Sequence, residues 1–436
     1  MEERPNVMVI STHDSGCHFG CYGVPTVQTP AIDGLAAEGV LFQQMFATSS
    51  ICSPSRGSLL TGRYPQSNGL IGLAGPGRGC ELNDPKQHLS HILHDAGYYT
   101  ALFGTQHETG DLSTLGFDRM VPDRIERDES FDGEFVVHAD DPYATALHYS
   151  AINTAEDTAG DVVDFLNAAA ADDGPFYIQA GFYETHTPYL WGGCEADESK
   201  GVWVPPYVGS CDEEEGAKLK QHIANLQGSL RRVDEAVGTI LASLRDNGLE
   251  ENTIVVFVTD HGPELPGAKW TMYDGGIKIA FMMRWPAGGV TGGRSCDAML
   301  SNIDFVPTLA ELIGLTVSEE VEGVSFARTL RNEAEEGEAY RDAVFALNIH
   351  GVNRTARTER YKVIHNGKKT CFSRDVLKQD SEMPVIELYD LEKDSLERRN
   401  VAQEESYAEV LGEMKVLLWD WLVAVDDPMV REQSQL

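Results

Sequence analysis

The sequence predicts an α/β protein: a mostly parallel sheet sandwiched by helices, with a smaller unit behind it. Three observations lead there. Short apolar runs rich in β-branched residues alternate with longer amphipathic segments, the pattern of strands joined by helical crossovers. Polar clusters follow the apolar runs directly, as they do where the carboxyl ends of strands carry a site. The 436 residues are enough to bury one large core and support a second domain.

Taken in order, residues 6–11 (Asn-Val-Met-Val-Ile-Ser) read as a buried strand that empties into Thr12-His13-Asp14-Ser15-Gly16. Further strands are expected at 100–103, 176–181, 253–259 and 280–284, each short, apolar and bounded by turn residues. Helices are expected at 32–38, 90–96, 153–170 and 218–247, the last closed by Gly248. Asp14, His107, His186 and Asp260 all fall just beyond predicted strands. After residue 350 the texture changes, with strands expected at 354–363 and 385–391 and a terminal helix at 406–423. The expected division is a large domain over 1–350 and a smaller α+β unit over 351–436. Residues 318–340, rich in Glu and Gly, are expected to be an exposed connector.

Lys and Arg number 34 against 69 Asp and Glu, a net charge of −35. Such an acidic chain is a poor partner for nucleic acid or an anionic membrane, and an anionic substrate would need a local positive pocket. No apolar run approaches the length of a membrane span. Met1 to Pro5 is short and charged and the first strand follows at once, so no secretory signal is expected and the location expected is cytoplasmic. The eight cysteines are scattered through a large chain, which predicts mostly reduced thiols.

The most informative stretch is Cys52-Ser53-Pro54-Ser55-Arg56-Gly57-Ser58-Leu59-Leu60-Thr61-Gly62-Arg63. Pro54 suits the first position of a helix, Ser53 its N-cap and Gly62 its close. Cys52 then sits just ahead of the first turn with Arg56 four residues on, so both can face an anion held over unpaired N–H groups.

This run resembles the signature of the type I sulfatases, formylglycine-dependent members of the alkaline-phosphatase-like superfamily. The likeness extends from Pro5-Asn6-Val7 to Glu387-Leu388-Tyr389-Asp390-Leu391 and is greatest to the N-sulfoglucosamine sulfohydrolase (heparan N-sulfatase) branch. It implies a three-layer sandwich with a large mostly parallel central sheet, plus a C-terminal subdomain with an antiparallel sheet. It also implies a sulfuric ester hydrolase acting on a sulfate ester or sulfamate, the substrate being a sulfated sugar or similar small molecule. Cys52 would be converted to formylglycine by the formylglycine-generating enzyme. One hydroxyl of the hydrated aldehyde would attack sulfur and the other would let sulfate leave by C–O cleavage.

The same resemblance places a divalent cation at His13-Asp14 and Asp260-His261, with residue 52 completing the set. Calcium is the ion expected from the family, while two imidazoles beside two carboxylates suit manganese or zinc better. His13 is either a ligand itself or hydrogen-bonded to one. Ala268-Lys269-Trp270 through Gly276 looks like the segment whose lysine contacts sulfate, so Lys269 is a candidate. His186, in Phe182-Tyr183-Glu184-Thr185-His186-Thr187-Pro188, is the candidate to protonate the leaving group or hold sulfate. Gly104-Thr105-Gln106-His107 resembles a family G-K-x-H element, with Thr105 where the lysine stands and His107 retained. His350 and Arg354 resemble substrate-facing residues of the N-sulfoglucosamine branch, and the loop 192–216 is expected to set specificity. Two other readings remain open: a phosphonate monoester or phosphodiester hydrolase of the same superfamily, and a non-catalytic anion binder with Cys52 unmodified.

Overall fold

The structure, a computed structural model, describes residues 4–75, 79–122, 154–169, 174–187, 189, 194–209, 212–334, 339–348, 351–367 and 385–433. Eight strands form the main sheet: β1 (Asn6–Thr12), β2 (Val40–Phe42), β3 (Tyr99–Gly104), β4 (Arg119–Pro122), β5 (Phe176–Phe182), β6 (Thr253–Thr259), β7 (Phe281–Arg284) and β8 (Arg294–Cys296). Their order is β8-β2-β7-β6-β1-β5-β3-β4. The run from β6 to β4 is parallel throughout. β7 lies antiparallel between β6 and β2. Each main-sheet strand expected from the sequence is present within a residue or two of its predicted bounds.

Every residue of β1, β5 and β6 is buried, which is why these strands read as unbroken apolar runs instead of alternating ones. Successive side chains still point to opposite faces. Val7, Val9, Tyr177, Ile254 and Val256 pack with Leu59, Leu60, Phe305 and Leu309. Met8, Ile10, Ile178, Val255 and Phe257 pack with Val162, Leu230, Val237 and Ile240. Helices Cys52–Thr61 and Phe305–Leu312 thus cover one face, and Ala155–Ala169 and Glu213–Asp246 the other. The result is the three-layer alkaline-phosphatase-like sandwich. The long helix begins five residues before the predicted start because Asp212 and Glu215 form a reciprocal capping box. Among the described residues, no helix is long and apolar enough to cross a membrane.

The C-terminal unit is a four-stranded antiparallel sheet in sequence order: β9 (Val344–Leu347), β10 (Asn353–Arg357), β11 (Tyr361–Asn366) and β12 (Ile386–Asp390). The single strand expected over 354–363 is in fact a hairpin. Thr358 N–H donates to the Tyr361 carbonyl at 2.8 Å and folds the chain back. Helix Ala408–Ala424 packs Leu418, Trp421 and Leu422 against Ala356, Val363 and Leu388.

The two units are joined by a buried ionic knot. Lys362 is fully buried on β11, and its Nζ contacts the Asp274 carboxylate and lies 2.7 Å from Glu397 Oε1. Arg357 Nε lies 3.1 Å from the same Asp274 carboxylate. Burying charges is costly unless they stay paired, and removing one partner strands the others. Lys362→Met is therefore expected to destabilise the protein by about 3 kcal/mol in chemical denaturation, with part of the loss recovered in Lys362→Met/Asp274→Asn.

Candidate active site

Four neighbouring strands deliver the site. Thr12 at the end of β1 aligns with Phe182 of β5 and Thr259 of β6, and Gly104 of β3 aligns with Gly181. The residues just past these ends emerge on one edge of the sheet, as doubly wound sheets require. His13 and Asp14 follow β1, His107 follows β3, His186 follows β5, and Asp260 and His261 follow β6. Asp14 adopts φ +42°, an uncommon backbone for a non-glycine residue, and its N–H donates to Asp260 Oδ1 at 3.0 Å. Gly262 lets this turn press against the next loop: a Cβ there would sit 1.9 Å from the Gly275 carbonyl oxygen.

Cys52 opens a helix whose ten residues, Cys52–Thr61, are all buried. The chain enters through extended Ile51, so Cys52 is the first helical residue and Ser53 is not the cap. The Ser53 hydroxyl instead accepts the Ala74 N–H at 2.9 Å. The C-terminal expectation holds, with Gly62 at φ +69° and its N–H on the Ser58 carbonyl. Ser55 Oγ donates to the Asp260 carbonyl at 2.5 Å, and Asn302 Nδ2 donates to the Ser55 carbonyl at 2.9 Å. The helix mouth is thereby locked to the β6 loop.

One ligating atom from each of His13, Asp14, Cys52 and Asp260 lies within 4.8 Å of the others, all four residues buried. His13 and Cys52 also form such a group with His107. His261 Nδ1 must donate to the Gly262 carbonyl, 2.9 Å away, since a carbonyl only accepts. In the neutral ring Nε2 then presents a lone pair 3.3 Å from Asp14 Oδ1, and neither atom has a hydrogen-bond partner. His13 Nδ1 lies 3.2 Å from Asp260 Oδ2, and its buried Nε2 is also unpartnered. Acceptors facing acceptors in a dry interior are unfavourable unless a cation sits among them. The donor set therefore fits a divalent metal.

Burial alone would raise both aspartates. The Lys269 cation outweighs it at Asp14, and the Arg56 guanidinium helps hold Asp260 far below the usual carboxylate range. Burial, reinforced by Arg56, keeps His13 neutral well below its ordinary value. Lys269 loses to burial but gains more from Asp14 and Glu264, and stays charged well above the ordinary lysine value. Its Nζ is 2.6 Å from Asp14 Oδ2 and 3.4 Å from His186 Nε2. The Cys52 thiol is pushed up to about 12, mainly by burial. A thiol held protonated is a poor nucleophile.

Arg56 departs from its expected role. Its Nε reaches Asp260 Oδ2 at 3.2 Å, one terminal nitrogen the Ser11 hydroxyl at 3.1 Å and the other the Thr12 carbonyl at 3.1 Å. Three of its five N–H groups thus hold Asp260 against the end of β1. Arg354 is likewise committed, its Nε and a terminal nitrogen 3.0 and 2.6 Å from Asp427 Oδ1. His350 and parts of the 192–216 loop lie outside the described residues. Thr105 is buried, its N–H on the Gly181 carbonyl at 3.0 Å.

Several side chains escaped sequence reasoning. Glu264 Oε2 accepts from Thr187 Oγ1 at 2.5 Å and lies 3.4 Å from Lys269 Nζ, tying two loops together. Thr187 in turn accepts His186 Nδ1–H on its carbonyl at 2.6 Å. Tyr183 stacks on His186, with ring centroids 4.7 Å apart. Glu264 was within reach of motif reading, since it follows Asp260-His261-Gly262-Pro263 in the same post-strand loop.

Comparison with known proteins agrees with this geometry. A family model described as Sulfatase matches residues 5–315, and one for the N-sulphoglucosamine sulphohydrolase C-terminal region matches 268–423. The chain belongs to the sulfatase family, whose members are sulfuric ester hydrolases. An ulvan-active sulfatase of Formosa agariphila is 27% identical, covering 100% of this chain and 78% of that protein. Among solved structures, a 2-O glycosaminoglycan sulfatase superimposes with TM-score 0.72 at 23% identity, covering 98% of this chain and 94% of the other. A phosphonate monoester hydrolase of Agrobacterium radiobacter superimposes with TM-score 0.66 at 21% identity, covering 97% and 95%.

Because Arg56 acts through Asp260, Arg56→Lys is expected to weaken metal retention or activity by roughly 10- to 100-fold. Lysine keeps the charge but cannot reach three acceptors at once. Metal content after dialysis, read beside turnover, checks this.

Proposed function

We propose that the protein hydrolyses a sulfate ester or sulfamate of a sulfated saccharide, using a formylglycine made from Cys52 by a formylglycine-generating enzyme. The observation that carries the reading is the position of Cys52: first residue of a buried helix, with its sulfur among the ligating atoms of His13, Asp14 and Asp260. The sulfated saccharide specificities in the names of the matched relatives support the substrate class. Formylglycine supplies, as its hydrate, a hydroxyl to attack sulfur and a second one whose deprotonation releases sulfate.

The residues of the chain do the rest. Asp14, Asp260 and His13, with residue 52 and His261 beside them, would hold a divalent cation that offsets charge on the bound anion. The carboxylates suit calcium, and the imidazole nitrogens suit manganese or zinc. Lys269, charged and buried, donates to the sulfuryl oxygens as charge builds on them. Glu264 and Asp14 keep its ammonium in place. His186, whose Nδ1–H is fixed on the Thr187 carbonyl, turns Nε2 toward Lys269 Nζ at 3.4 Å, where it can take up a proton, and His107 flanks the same space. These two are the groups able to pass a proton to the departing oxygen or nitrogen.

The nitrogen donor at His261 and the structural likeness to a phosphonate monoester hydrolase favour one second reading, hydrolysis of phosphonate monoesters or phosphodiesters. Rates on aryl sulfate and aryl phosphodiester substrates separate the two. For the first reading, mass spectrometry of the Cys52 peptide is expected to show formylglycine, and sulfate release is expected to vanish in Cys52→Ala. An unmodified thiol in a host that converts such cysteines, with anion bound but not turned over, would instead make the protein a non-catalytic binder. Chelation is expected to lower the melting temperature, because the native state alone assembles the cation site, and elemental analysis of the purified protein identifies the ion.

A further inference from the structure

Trp270 sits beside the anion-binding lysine in a backbone conformation that a bulky residue rarely adopts. Its φ is +71°, a left-handed geometry that is strained for any side chain but glycine's. Such strain persists only where surroundings impose it, and it concentrates at functional sites. Here the surroundings do impose it. The Trp270 N–H donates to the Ser50 carbonyl at 3.3 Å, and the Trp270 carbonyl accepts Asn348 Nδ2 at 3.4 Å. Asn348 is itself fixed by the Asn353 N–H at 2.8 Å.

The next residues are gripped by the antiparallel sheet and the segment after it. Lys362 Nζ donates to the Met272 carbonyl at 3.2 Å, the Tyr273 hydroxyl donates to Glu387 at 2.9 Å, and the Asp274 N–H donates to Glu397 at 2.6 Å. The consequence is an unusual juxtaposition of consecutive side chains, with Lys269 Nζ 5.7 Å from the centre of the Trp270 ring. Residues 265–269 and 271–273 are buried, while Trp270 remains partly exposed. A partly exposed tryptophan beside a buried cation offers apolar ring surface next to an anion-holding group. A pyranose carrying a sulfate has the matching surfaces, an apolar C–H face next to an anion.

We infer that Trp270 is the platform for the sugar ring of the substrate, stacking against the saccharide whose sulfate lies toward Lys269. The inference rests on the sulfatase reading above. The C-terminal unit would then serve the reaction by holding this platform in place, a role its own fold does not require.

The test compares wild type, Trp270→Ala and Trp270→Phe on N- and O-sulfated hexosamines and on ethyl sulfate, which has no ring to stack. On the best saccharide, Trp270→Ala is expected to raise KM roughly tenfold, the effect of losing one aromatic contact. Both constants on ethyl sulfate should stay within about twofold, a margin below any aromatic contact energy. Trp270→Phe should recover most of the saccharide KM. An equal loss on both substrates would mean that Trp270 only shapes the loop of Lys269, and no loss on either would mean it touches nothing; each overturns the inference. Failure of the sulfatase reading shows separately, as wild-type protein that releases sulfate from none of them. In that event calorimetric binding of the same saccharides to Cys52→Ala decides, and equal affinity in Cys52→Ala/Trp270→Ala overturns the platform.

Discussion

Two buried carboxylates, Asp14 and Asp260, share one small volume, and the rest of the site is arranged around that cost. Like charges in a dry interior repel strongly and are retained only where cations compensate them. Lys269 serves Asp14 and Arg56 serves Asp260, yet Asp14 Oδ1 and the Nε2 atoms of His261 and His13 still lack hydrogen-bond partners. With Glu264 beside Lys269, three acids face two bases. A divalent cation would turn this deficit into a net positive pocket, which is what an anionic substrate needs inside a chain of net charge −35.

The sheet makes that convergence possible. β1, β5 and β6 end in register, so residues far apart in sequence leave the same edge together. The Cys52–Thr61 helix is then fixed against the β6 loop by Ser55 and Asn302. Its first residue cannot drift from the carboxylates without breaking buried hydrogen bonds. The burial that fixes Cys52 also raises its thiol and keeps it protonated.

Much of this was legible in the chain. The buried strands announced themselves because continuous apolar runs have few other uses, and the polar residues behind them marked the site edge. The Cys52 run was legible as a motif, but its local geometry was not. Ser53 looks like a cap until Ala74, 21 residues later, claims its hydroxyl. The long helix starts ahead of its apolar period, because the capping box at Asp212 lies outside that period. The hairpin at Thr358 was hidden by charged residues that suit a strand or a turn equally. Spacing alone turns Arg56 toward a bound anion, and only tertiary structure shows each of its three nitrogens donating within the protein. The roles of Glu264, Thr187 and Asn302 rest on contacts between loops, which no local pattern encodes.

The account stands most directly on whether residue 52 and the two strand-end aspartates enclose a cation together. Anomalous diffraction from crystals of the protein grown with manganese tests it. The expected result is one strong peak within metal-ligand distance, about 2.0–2.5 Å, of the Asp14 and Asp260 carboxylates, adjacent to residue 52. A peak elsewhere, with those carboxylates holding only Lys269 and Arg56, would contradict it.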